Sequence, residues 1–95
     1  MTLEEQVVDA ADAHRFELRG ETGEVAVLAY RRSPGMLHLL DTQVPPSLEG
    51  KGYGSALVRA ALEQAKREGV AVGAVCPFVR RWVQRHPEYT AMVRY

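Results

Sequence analysis

Gly50-Lys51-Gly52-Tyr53-Gly54-Ser55 is the stretch whose residue types and spacing could do chemistry. Its alternate glycines lie between a strand-like pattern that stops at Pro45-Pro46 and the start of a helix-like pattern over residues 50–68. Glycine reaches positive φ at little cost and lets a ligand approach the backbone closely. The first N–H groups of a helix have no partner inside it and sit at the positive end of its dipole. A glycine-rich helix entry of this kind suits an anion, above all a phosphate or diphosphate. The plainer reading is a tight strand-to-helix turn that only packs. A P-loop would need G-x-x-x-x-G-K-S/T, and that spacing is absent. A dinucleotide fingerprint would need G-x-G-x-x-G followed by an acidic residue. Counted from Gly52 its third glycine falls on Leu57, and counted from Gly50 it falls on Ser55. ATP and NAD are therefore disfavoured.

Other reactive side chains are few. Cys76 closes an apolar run just before Pro77. As a nucleophile it would need thiolate character, which the dipole of a helix starting at Pro77 could supply. As a structural residue it would be one more small buried hydrophobe. Asp41 lies near the end of a strand pattern, where a carboxylate at a site mouth can serve as general base. Its plain alternative is a solvated or turn-capping Asp. His14, His38 and His86 show no metal-ligand spacing, so no metal site is expected. Arg80, Arg81 and Arg85 read as the wet side of a short helix; a second reading has one of them meeting a cofactor's ribose phosphate.

The elements that must position these groups follow from periodicity. Arg15 to Arg19 alternates charged and apolar residues, the mark of a half-buried strand. A turn at Gly20-Glu21-Thr22-Gly23 and a strand over Glu24 to Tyr30 make a hairpin of 15–30. Met36 to Val44 is a third strand, ended by proline. Leu57, Val58, Ala61, Leu62 and Ala65 form an i, i+3, i+4 stripe, so residues 50–68 read as an amphipathic helix closed by Gly69. Val70 to Cys76 is a strand apolar enough to be buried on both faces, as in a parallel pairing. Phe78, Val79, Trp82 and Val83 mark a second short helix that His86-Pro87 closes. Met1 to Asp12 reads equally as a short helix or a frayed arm. The expected order is β-β-β-α-β-α, an α/β sandwich whose sheet is mostly antiparallel with one parallel β-α-β crossover.

Composition narrows the classes. The chain has 95 residues, 46% hydrophobic and 25% charged, which fits one globular domain. Basic and acidic residues balance at 12 each. A nucleic-acid binder would carry a basic excess, and a membrane surface would draw one too, so neither partner is expected. One cysteine cannot form an internal disulfide. No apolar run is long enough to cross a bilayer, and the acidic start is unlike a secretory leader. The expected address is the cytoplasm.

Taken in order, these segments resemble the GNAT acetyltransferases, which hold acetyl-coenzyme A through a loop of pattern Q/R-x-x-G-x-G/A at the head of a central helix. Glu49-Gly50-Lys51-Gly52-Tyr53-Gly54 occupies that pattern. More narrowly, the chain is similar to small stand-alone, YjdJ-like members. Those carry a strand ending H-T-x-V-P, then G-K-G-x-G-S-x-L-V, C-P-F-V and H-P-E-Y. The counterparts here are Asp41-Thr42-Gln43-Val44-Pro45, Gly50 to Val58, Cys76-Pro77-Phe78-Val79 and His86-Pro87-Glu88-Tyr89, covering residues 14–93. The resemblance implies a minimal GNAT fold over residues 1–95 and an acetyl-CoA-dependent N-acetyltransferase that needs no metal. It implies that Val44 bonds the pantetheine amides, that N–H groups of Gly50, Lys51, Gly52, Tyr53, Gly54 and Ser55 hold the diphosphate, and that Cys76 lies near the thioester. In some members that cysteine is suspected of taking the acetyl group. Two departures stand out: Glu49 replaces the Arg or Gln of the loop, and Asp41 replaces the strand-end His. The partners implied are a coenzyme A thioester and an amine, on a small molecule or a protein, with the chain a monomer or weak homodimer. The alternative is a non-catalytic acyl-CoA sensor or a protein-interaction module.

Overall fold

The strands sit in the sheet in the order in which the chain makes them. The computed structural model covers Met1 to Tyr95. It comprises α1 (Leu3–Gln6), β1 (Val8–Ala10), β2 (Arg15–Arg19), β3 (Val25–Ser33), β4 (Met36–Gln43), α2 (Tyr53–Glu68), β5 (Ala71–Ala74), α3 (Pro77–Gln84) and β6 (Val93–Arg94). The sheet order is β1-β2-β3-β4-β5-β6. β1 to β4 pair antiparallel, whereas β4 with β5 and β5 with β6 pair parallel. The fold is thus mixed α/β with a mostly antiparallel sheet.

Two parallel steps in the same direction, under the general rule that such crossovers are right-handed, put α2 and α3 on the same face of the sheet. Their contact confirms it: Trp82 Nε1 on α3 donates to Ser55 Oγ on α2 at 2.7 Å. Beneath them the strands present their apolar rows. Phe16 and Leu18 of β2, Ala26, Leu28 and Tyr30 of β3, and Leu37 and Leu39 of β4 are buried. The intervening Val25, Val27 and Ala29 are only half-buried. From α2 the stripe of Leu57, Val58, Ala61, Leu62 and Ala65 comes down onto that row, all at 0% exposure, so the period of the sequence matches the buried face. Burying each of the larger side chains contributes about 1.5–3 kcal/mol.

Gly69 ends α2 at φ 72°, its N–H donating to Ala65 and Lys66 carbonyls, as the left-handed cap expected there. The apolar run after it forms β5 parallel to β4 but stops at Ala74, short of Cys76. Pro77 explains the early end, because it starts α3 and makes Cys76 the residue that caps that helix. Two strands lie outside the expected pattern. The first residues make one helical turn, capped by Thr2 and Glu5, and then an edge strand on β2. At the other end β6 adds a second parallel pair, Val72 with Val93 and Gly73 with Arg94.

Candidate functional site: a cleft between parting strands and an open helix start

The site begins where β4 and β5 separate. Their pairing runs from Met36 with Ala71 to Leu39 with Ala74 and goes no further. The last bonds are from Val75 and Cys76 N–H, both to Leu39 O, at 3.1 and 3.0 Å. The register between β3 and β4 shifts at that level: Tyr30 faces Leu39 and Ala29 faces Asp41, which leaves Leu40 as an extra residue. A bulge bends its strand and raises the local twist. Beyond it, β4 continues alongside β3 while the chain of β5 turns away into α3. Thr42, Gln43 and Val44 are left along a gap between strands.

The loop from β4 to α2 closes the gap at one end. Leu48, in a 3-10 turn, is buried against Gly20, where a Cβ would come within 2.8 Å of Leu48 Cδ2. Ser47 Oγ donates to Glu24 Oε2 at 2.7 Å, tying this loop to the β2–β3 turn. The Thr22 hydroxyl, and after it the Ser47 hydroxyl, hold the Glu24 carboxyl down at about 2 from an ordinary 4.5. Gly50 and Gly52 then take φ of 74° and 87°, angles that a residue with a Cβ reaches only under strain. Gly54 is glycine for a different reason. A Cβ there would lie 2.9 Å from Phe78 Cζ, so its bare backbone makes room for α3.

The result is a helix start with nothing on it. No backbone N–H from Gly50 to Ser55 meets an acceptor within the protein; the first bonded one is Ala56, to Gly52 O at 3.0 Å. No side chain caps α2, and its first turn holds no acidic residue. Ser55 Oγ accepts the Trp82 N–H, which leaves its own proton free to donate. Beside them a cleft of about 850 Å³ runs along the parted end of β4. Gly50, Gly52, Tyr53, Gly54, Ser55 and Val44 all line it, whereas Lys51 does not. The size falls within the ordinary range of small-ligand sites.

Asp41 and Cys76 are not brought together, and neither lines the cleft. Asp41 faces Ala29 across the ladder, on the half-exposed side of the sheet, and is held by Gln43 Nε2 at 2.9 Å. Cys76 is 3% exposed and lies on the helix side. Its Sγ is 3.4 Å from Thr42 Oγ1, and Thr42 does line the cleft. Of the histidines, His38 lies against Ser33 Oγ at 2.8 Å and His86 stacks on Trp82 at 3.7 Å, both structural settings. Sequence reasoning passed over Thr42, Phe78, Val25 and Val27, which also line the cleft. Only Phe78 left a signal: it precedes by one turn the Trp82 that holds Ser55, so both reach the start of α2. Of Arg80, Arg81 and Arg85, Arg81 alone reaches the lining.

Parted parallel strands, a bulge on the longer one and a glycine-led helix with free amides meet at one end of a mixed α/β sheet. The family profile described as GCN5-related N-acetyl-transferase matches residues 15–92, and the chain belongs to that family. Among solved structures it is similar to the NMR solution structure of a GCN5-like N-acetyltransferase candidate from Staphylococcus aureus. That likeness has a TM-score of 0.73 and 21% identity over 99% of this chain and 91% of the other, and is one of fold. No curated protein matches the chain.

Proposed function

We propose that the chain binds acetyl-coenzyme A in this cleft and transfers the acetyl group to an amine. The observation that carries the reading is the run of N–H groups from Gly50 to Ser55 without an acceptor, five of whose six residues line a cleft beside the parted strands. A diphosphate satisfies such donors at the positive end of α2 without any side-chain charge. The pantetheine arm would then run from Val44 along the end of β4, where Thr42 and Gln43 also line the cleft, and would bring the thioester to the gap near Thr42.

The chemistry is aminolysis of a thioester. The free amine attacks the carbonyl carbon, the C–N bond forms, the C–S bond breaks, and the sulfur leaves as thiolate. The amine nitrogen loses a proton and the thiolate takes one. Backbone N–H groups at the strand gap would stabilise the oxyanion between these steps. Asp41, exposed on the sheet face away from the helices, would take the amine's proton through solvent.

A covalent route through Cys76 is the second reading, favoured by one observation: its sulfur touches Thr42 at the start of α3. Its burial and its absence from the lining favour direct transfer. Intact mass after incubation with acetyl-coenzyme A separates the two. A gain of about 42 mass units that Cys76→Ala abolishes supports the covalent route, and unmodified protein with full turnover supports direct attack. Calorimetric titration with coenzyme A tests the reading as a whole. Binding without turnover on any amine would leave a sensor, and no binding at millimolar ligand would leave an interaction module.

A further inference from the structure

We infer that Arg81 and Glu49 tune, with opposite sign, the affinity of this cleft for a diphosphate. The inference rests on the acyl-CoA reading above. Glu49 and Arg81 are the only charged residues lining the cleft. Both are exposed, and neither side chain has a hydrogen-bond or ion-pair partner within the protein.

Each is placed by a different constraint. Glu49 follows the 3-10 turn of Pro46–Leu48, and its N–H is fixed to Pro46 O at 3.3 Å. It therefore stands immediately before the first free amide, that of Gly50. Arg81 comes from α3. Phe78 fills the space left by Gly54, and Trp82 is bonded to Ser55, so this face of α3 is pinned to the first turn of α2. Arg81 lies between those two anchors in sequence, three residues after Phe78, and so belongs to the same helical side as Phe78.

The neighbouring cations are accounted for elsewhere. Arg80 Nε donates to Ala74 O at 2.7 Å, and Arg59 lies over the Trp82 and Tyr89 rings. Lys51 and Arg85 do not line the cleft. That leaves Arg81 as the one side-chain cation able to meet an anion resting on the amides of Tyr53 to Ser55. A guanidinium offers a phosphate paired N–H donors in a fixed fork. Glu49, at the other lip, repels the same charge. The cleft thus binds a diphosphate through backbone dipoles and one arginine against an opposing carboxylate, and its affinity is held below what the amides and arginine alone would give.

Calorimetric titration of coenzyme A, 3′-dephospho-coenzyme A and pantetheine into wild type, Arg81→Gln, Arg81→Lys and Glu49→Gln tests this. Arg81→Gln should weaken coenzyme A and the dephospho form alike by about fivefold, the scale of a partly solvated ion pair, with Arg81→Lys between it and wild type. Glu49→Gln should tighten both by about twofold to threefold, again on the scale of an exposed charge pair. Pantetheine, which has no phosphate, should bind all four proteins equally. Both shifts should shrink in about 1 M salt, where the screening length falls to about 3 Å. The inference is overturned if Arg81→Gln binds like wild type, if it weakens pantetheine equally, or if its loss is confined to coenzyme A and so belongs to the 3′-phosphate. Unchanged or weaker binding by Glu49→Gln overturns the other half. Wild type that binds no coenzyme A would instead sink the acyl-CoA reading itself.

Discussion

The two ends of α2 obey the same electrostatics and are finished in opposite ways. At the C-terminal end Gly69 turns left-handed, its N–H bonds the Ala65 and Lys66 carbonyls, and Val70 N–H adds a further bond to Ala65 O. Lys66 and Arg67 occupy the last turn, where the dipole favours cations. At the N-terminal end another left-handed glycine, Gly52, leads in, but no side chain caps the helix and no carboxylate sits in its first turn. The short α1 makes the contrast sharper, since even its single turn carries a full capping box of Thr2 and Glu5. A chain that caps one turn of helix at its own terminus leaves the longest helix open where it meets a cleft. α3 also starts without a side-chain cap, but its first turn holds Pro77, which has no N–H to satisfy; under the proposed function the open end of α2 is where a diphosphate would rest.

The largest effect should come from closing that end with the chain's own charge. Ser55→Asp puts a carboxylate among the free amides while keeping an acceptor for Trp82 Nε1. Coenzyme A affinity should fall by at least about tenfold, because a fixed anion then competes for the donors. The ligand-free protein should be as stable as wild type or more so, by up to about 1 kcal/mol, the usual worth of a helix-terminal charge. Opposite signs in titration and thermal melts would sharpen the contrast between the two ends. Loss of both binding and stability would break it, since Ser55 would then be a packing residue.

A smaller effect separates the two glycines. Gly52→Ala and Gly69→Ala each force a Cβ into left-handed backbone, at about 1–2 kcal/mol of stability in denaturant melts. Neither Cβ would clash, since the nearest atom to either is Leu3 Cδ1, 3.9 Å from the Gly52 position. The stability losses should therefore match. Only Gly52→Ala should also weaken coenzyme A, since relaxing its φ re-aims the amides that follow. Equal binding by both variants would show that the N-terminal glycine serves folding alone.

Both ends of α2 were legible in the sequence for the same reason: glycine at a boundary is a local backbone statement. The hairpin and the buried face of α2 were legible through period. β1 and β6 were not. Val8-Asp9-Ala10 and Val93-Arg94 are too short to carry an alternation, and each is a strand only because a neighbour's open edge pairs with it. The cleft was legible at its glycines and blank at Thr42, Val25 and Val27, which line it from the β3–β4 ladder beyond the bulge at Leu40. The bulge itself falls inside an ordinary apolar strand pattern. Gly54 shows how a motif can hide its cause, since packing against Phe78 requires that glycine whether or not a ligand binds.

The smallest expected effect concerns what holds the open end in place. Glu24 accepts hydrogen bonds from the Thr22 and Ser47 hydroxyls, and so fastens the loop before Gly50 to the β2–β3 turn. Its carboxyl is depressed to about 2 from 4.5. A group depressed on folding stabilises the native state above its unfolded value, and that contribution is lost as pH falls through the folded one. Wild type should therefore exceed Glu24→Gln in melting temperature at pH 6. The gap should begin to narrow near pH 4.5 and close toward pH 2, the two values that bound the titration. The carboxylate is solvent-exposed, so the gap should be small and should shrink in high salt. At the C-terminal end of α2 the Gly69 cap is all backbone, with the Glu68 carboxylate paired to Arg32 beside it, and removing the cap in Gly69→Ala should cost the same stability at pH 3 as at pH 6. If the Glu24→Gln gap is pH-independent across that range, the strap is not ionic and the loop before Gly50 is held to the β2–β3 turn by Leu48 on Gly20.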